Sequence, residues 1–160
     1  MAKQLKYLAL FLVAGTLALT ACSKKGPEPI SFGSDNCANC GMVASDAKFG
    51  GELITRKGKV FKFDSVECLA GFLDKKGTGD EVASLWVIDF AHPTQLIDAT
   101  RAFYLQSERL HSPMGLNLSA FGKREAAAAM QGRFPGTILS WPELLRYVAQ
   151  RSSQEGACGQ

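Results

Sequence analysis

Two short apolar runs separated by a polar turn open the folded part of the chain. Leu53, Ile54 and Thr55 precede Arg56-Lys57-Gly58-Lys59, and Val60-Phe61-Lys62-Phe63 follows, the pattern of a β-hairpin. The period then lengthens. Val66, Leu69, Ala70 and Leu73 fall at i, i+3, i+4 and i+7, one apolar stripe of a helix. Asp64 is its expected N-cap, Glu67 the matching acid of a capping box, and Lys75-Lys76-Gly77 its stop.

Farther along, Leu85-Trp86-Val87-Ile88 reads as a buried strand ended by Asp89 and His92-Pro93, and Ala102-Phe103-Tyr104-Leu105 as a second. A loop containing Ser112-Pro113-Met114-Gly115 leads to an Ala-rich helix within 123–133. Thr137-Ile138-Leu139 is a short strand. Ser140, Pro142 and Glu143 then supply a cap, a first-turn proline and an acid three residues after the cap. Leu144, Leu145 and Val148 form the apolar face of that last helix, and the polar residues 151–160 predict a fraying tail. The mixture is that of an α+β domain.

The two parts echo each other. Phe63-Asp64 and Leu139-Ser140 each end a strand at a cap, and Glu67 and Glu143 occupy matching places. Ahead of each cap stands a methionine beside a glycine, Met42 and Met114. If the echo is a repeat, the halves (35–78 and 79–150) pack together and each brings a loop methionine to their junction.

Chemistry concentrates in Cys37-Ala-Asn-Cys40-Gly-Met42, where three sulfurs lie within six residues. Thiolates and thioethers are soft donors that favour Cu(I) over Mg, Ca or Mn. Taken alone, the stretch admits a copper site, a redox dithiol or half of a zinc site. A thioredoxin-type dithiol follows a strand and opens a helix, whereas Ser34-Asp35-Asn36 precedes this pair and Gly41 follows it. A closed zinc site needs four ligands, and the sequence has no second C-x-x-C and no paired histidines, which leaves zinc as an accessory metal. Cys40 beside a thioether, Met42 within the motif and Met114 in a loop without helical periodicity are the candidates to weigh as ligands. Cys37 is either a further ligand or half of a Cys37–Cys40 disulfide, and His111, three residues before Met114, is a weaker candidate. Cys68, at the edge of the helical stripe, reads as core packing, His92 as a surface residue and Cys158 as an exposed thiol without a role.

The N-terminus changes the setting. Lys3 and Lys6 lead into an apolar run from Tyr7 to Leu19, the form of a secretory signal over 1–21 and shorter than the roughly 20 residues that span a bilayer. Leu19-Thr20-Ala21-Cys22 resembles a bacterial lipobox, so Cys22 is the expected lipidation site, with residues 22–34 as a tether that does not pack. The expected place is thus the extracytoplasmic, periplasmic face of a bacterial membrane, an oxidising setting in which unneeded thiols pair or react. With 46% hydrophobic and 21% charged residues the whole chain has the composition of a globular protein. Its formal charge of +3 falls to about +1 once Lys3 and Lys6 are removed, too little for a nucleic-acid surface.

Lipobox, C-x-x-C-G-M and Phe61-Lys62-Phe63-Asp64 leading to Cys68 resemble the NosL family, accessory lipoproteins of nitrous oxide reductase. The second half is similar as well, through Trp86-Val87-Ile88-Asp89, Ile97-Asp98-Ala99, Ala102-Phe103-Tyr104, Ser112-Pro113-Met114-Gly115, Ala120-Phe121 and Leu139-Ser140-Trp141-Pro142-Glu143-Leu144. The resemblance implies two related ββα-type halves, as in the organomercurial lyase fold. It implies a membrane-anchored Cu(I) metallochaperone that is not an enzyme. Such a protein would pass copper through an ABC-type transporter complex to nitrous oxide reductase, using Cys40, Met42 and Met114, with Cys37 a plausible further ligand. The rival expectation is a periplasmic thiol–disulfide oxidoreductase using Cys37 and Cys40.

Overall fold

A computed structural model describes residues 26–76 and 81–157. The expected signal segment, Cys22 and Cys158 lie outside the described residues. The hairpin forms as β1 (Gly51–Thr55) and β2 (Val60–Phe63), followed by α1 (Val66–Lys76). Next come β3 (Val82–Ile88), β4 (Leu96–Asp98), β5 (Phe103–Gln106) and β6 (Leu118–Phe121). The chain ends in α2 (Arg124–Arg133), β7 (Thr137–Leu139) and α3 (Trp141–Ala157).

The strands make two antiparallel sheets, ordered β2-β1-β3-β4 and β6-β5-β7. The α+β class and its two halves are as expected. The partition, however, falls between β4 and β5 instead of near residue 79, because β3 pairs with β1 from Gly51↔Val87 to Thr55↔Val82. Strands β4 and β6 are additions to the pattern read from sequence.

One core joins the halves. Phe63, Leu69 and Val87 from the first sheet and its helix meet Tyr104, Leu118 and Ala120 from the second, together with Leu144 and Val148 of α3. Helix α1 lies at the centre, against β1, β2, β6 and α3. In β5, Tyr104 faces this core, while its neighbour Leu105 faces a second cluster with Phe121 and Ala127 of α2. Both faces of the small sheet are covered, which explains why β5 reads as a continuous apolar run. Gly51 is a point of close packing: a Cβ there would stand 3.1 Å from the Trp86 carbonyl oxygen and 3.2 Å from Leu69 Cδ2 of α1.

Three expectations are corrected. The end of the tether does pack. The Glu28 N–H donates to both carboxylate oxygens of the buried Glu52 at 3.0 and 3.1 Å, Lys62 Nζ donates to the Pro29 carbonyl at 2.8 Å, and Ile30 is buried with Ala44 and Ile88. The tail does not begin at residue 151, since α3 continues through Ala157 with Arg151 over the Tyr147 ring. Finally, α1 is capped one residue later than expected. Ser65 Oγ accepts from the Cys68 N–H at 3.3 Å, which frees Asp64 and Glu67 for other partners. The second capping box stands: the Ser140 N–H and Oγ–H both donate to Glu143 Oε2, at 2.7 and 2.6 Å.

Leu69 is fully buried beneath Gly51 at the centre of the joined core. Leu69→Ala is expected to lower stability by about 3 kcal/mol. The check is a lower midpoint in urea unfolding at an unchanged slope.

Candidate metal centre

The C-x-x-C segment forms a tight loop on the edge of the first sheet. A bridge between Asn36 and Val43 closes it, and the Cys37 N–H donates to the Met42 carbonyl at 2.8 Å. Gly41 sits at φ +78°, a conformation that glycine adopts without a side-chain penalty. The Ala38 N–H donates to the Lys62 carbonyl at 2.8 Å, which ties the loop to β2 just ahead of the strand–helix junction. No helix starts in this loop, so the setting of a thioredoxin-type dithiol is missing here.

This docking assembles four donors. The sulfurs of Cys37, Cys40 and Cys68 and a carboxylate oxygen of Asp64 all lie within 4.8 Å of one another. Cys37 and Cys40 come from the loop, Asp64 from the junction after β2, and Cys68 from the first turn of α1. All three cysteines are free thiols, so the Cys37–Cys40 disulfide alternative is not the state seen. Cys68 is buried, as its place in the stripe predicted, but its sulfur faces the other two instead of only filling the core.

The cluster shares its protons unevenly. Hydrogen bonding from Cys68, helped by the backbone at Cys40, Asp64 and Asn39, holds the Cys37 thiol down to about 6 against the opposing effect of burial. Cys68 moves strongly upward, chiefly because its proton is held against Cys37 and because it is buried. Burial also raises Cys40, and the negative charge of Asp64 adds to this. The Cys40 thiol donates to Asp64 Oδ2 at 3.8 Å, while Oδ1 is buried with no partner among the described residues. A cation drawn into the cluster would displace the thiol protons and satisfy that oxygen.

Met114 reaches the same region from the second half. Its loop is pinned by Glu67, the neighbour of Cys68. Ser112 Oγ–H donates to Glu67 Oε1, the Leu118 N–H donates to the same oxygen at 3.3 Å, and the Asn117 N–H donates to Ser112 Oγ at 2.9 Å. Burial raises the Glu67 carboxyl against these hydrogen bonds. Between α1, α3 and this loop opens a cleft of about 140 Å³, lined among others by Cys68, Glu67, Met114 and Asn39. Cys68 is therefore common to the cluster and the cleft. Met114 is 37% exposed and Met42 49%, both large apolar side chains left in solvent. His111 is exposed beside Ser112, and His92 is a surface residue paired with Asp89 at 3.0 Å.

Sequence reading named Cys37, Cys40, Met42 and Met114 as site candidates, but gave Cys68 to core packing and Asp64 and Glu67 to the helix cap. The available signal was Asp64-Ser65, two cap formers in succession of which one suffices, with Cys68 one helical turn after Asp64.

Fold and cluster together define an α+β protein with a sulfur-rich, soft-metal type of site. A family profile described as NosL matches residues 29–148. The copper-binding lipoprotein NosL of Stutzerimonas stutzeri is 30% identical over 160 residues, covering 91% of this chain and 82% of that one. The chain belongs to the NosL family. Its fold is similar to the crystal structure of the copper chaperone NosL from Shewanella denitrificans. That match has a TM-score of 0.65 at 24% identity and covers 74% of this chain and 95% of the other.

Thiolate absorbance tests the proton sharing. In the reduced, metal-free protein one thiolate should appear near pH 6, below the ordinary thiol range of about 8.5. Cys68→Ala removes the donor that stabilises it and should move that step upward. An unchanged step would separate Cys37 from Cys68.

Proposed function

We propose that this protein carries Cu(I) as cargo on its sulfur cluster and hands it on without chemical turnover. The observation that carries the reading is the meeting of three thiols within 4.8 Å, with Cys68 also opening onto the cleft that holds Met114. Soft, polarizable donors of this kind match a soft monovalent ion. The copper-binding name of the Stutzerimonas relative supports the same metal.

In this reading Cys40 and Cys37 hold the ion on the loop side and Cys68 on the helix side. Met42 and Met114, exposed and weakly binding, are the ligands that exchange with an incoming partner. The buried carboxylate of Asp64 adds a harder donor, which suits zinc as an accessory metal better than Cu(I). Lipidation at Cys22 would hold the domain on the periplasmic face of the membrane, and the docked residues 28–30 would keep it close to that surface. The recipient we propose is an ABC-type transporter complex that supplies the copper centres of nitrous oxide reductase.

Anaerobic titration of the reduced protein against a chromophoric Cu(I) chelator tests the reading. One Cu(I) per chain is expected. Cys40→Ser should weaken binding by more than the roughly 10–100-fold that outer-shell substitutions cost. Met114→Leu, close in volume, should weaken it while leaving the unfolding midpoint unchanged. Absence of stoichiometric copper would overturn the proposal, and unchanged affinity in Met114→Leu would remove that residue from the site.

A further inference from the structure

The cleft between α1 and α3 has a polarity that the metal cluster does not require. Its floor is Cys68 and Glu67, both buried, and its wall carries Met114. The exposed charged residues that line it are Lys75, near the end of α1, and Arg151, on α3. Both are positive. Glu67 lines it too, but that carboxylate is 4% exposed: its Oε1 accepts from Ser112 and Leu118, and its Oε2 is buried with no hydrogen-bond partner among the described residues. Lys75 is held in place by donating to Asn39 Oδ1 at 3.2 Å, and Arg151 by the Tyr147 ring at 5.3 Å.

Asn39 belongs to the C-x-x-C loop and packs onto α1 over Gly71, where a Cβ would come within 3.4 Å of its Nδ2. One side chain thus connects the metal loop to the cationic rim. The cleft also leads outward from a cluster thiol through a half-exposed thioether to two fixed cations.

We infer that this cleft is the face through which the metal leaves, and that it receives an acidic protein surface presenting a thioether or thiolate ligand. The inference rests on the Cu(I) reading above and adds the direction of transfer and the charge of the partner. Cys68 holds the ion at the floor, Met114 offers it at the wall, and the incoming sulfur displaces the inner ligands one at a time. Lys75 and Arg151 bring the partner in, since fixed charges around a cleft raise the encounter rate of an oppositely charged ligand by about 10–10³-fold at low salt. They act on approach and leave the strength of copper binding alone.

Chelators of opposite character stand in for the partner. The full reduced chain is loaded with Cu(I) under anaerobic conditions, and the metal is extracted by bathocuproine disulfonate, which is anionic, or by neocuproine, which is uncharged. Lys75→Glu/Arg151→Glu is expected to slow extraction by the anionic chelator about tenfold at low salt, with neocuproine extraction and equilibrium affinity unchanged. The difference should vanish at 1 M salt, where charges are screened within about 3 Å. Arg56→Glu/Lys57→Glu, in the β1–β2 turn, makes the same charge change away from the cleft lining and should extract like the unsubstituted protein.

Equal slowing with both chelators, an altered equilibrium affinity, or the same slowing in the turn variant would each overturn the inference. If instead the chain took up no stoichiometric Cu(I), the reading of the cargo itself would fail first. The two failures are therefore separable.

Discussion

The site depends on how the loop of residues 36–43 sits against the junction between β2 and α1. The backbone bond from Ala38 to the Lys62 carbonyl holds it at the sheet edge two residues before Asp64, and Lys75 donates to its Asn39 from α1. Because the strand ends at Phe63 and the helix begins at Val66, Asp64 and Cys68 face the loop from two sides of one turn. Burial then does the chemical work. Hydrogen bonding from Cys68 lowers the Cys37 thiol, and the same bond together with burial raises Cys68. A thiolate and a carboxylate confined together are costly without a cation.

The second half contributes by restraint. Glu67 sits in a turn where an acid ordinarily caps a helix, yet it reaches across to the loop that carries Met114. A buried carboxylate bound to a hydroxyl and a backbone N–H fixes that loop relative to α1, and so relative to Cys68. Met114 thus stands on an anchored loop instead of at a free tip.

Much of this was legible in the chain. The hairpin, the stripe of α1 and the Ser140–Glu143 cap follow from spacing alone, and each formed where its period placed it. Strands β4 and β6 escaped notice because three or four residues with mixed polarity, such as Leu96-Ile97-Asp98, carry no measurable period. Docking of residues 28–30 was invisible because Glu52 and Lys62 are remote in sequence, and Glu52 sits unannounced in an apolar strand. Cys68 and Asp64 were seen but given ordinary roles, core packing and helix capping. Neither reading was unreasonable locally, since Ser65 performs the cap and Cys68 is indeed buried. What sequence could not supply was the position of the loop that turns both toward a common point.

The central claim is that sulfurs from both halves grip one soft cation. X-ray absorption at the selenium edge of Cu(I)-loaded, selenomethionine-labelled Met42→Leu protein tests it most directly, with Met114 the labelled residue next to the site. A copper neighbour on selenium that disappears in Met42→Leu/Met114→Leu is the predicted result. A selenium environment of carbon alone, in protein that holds stoichiometric copper, would contradict the account.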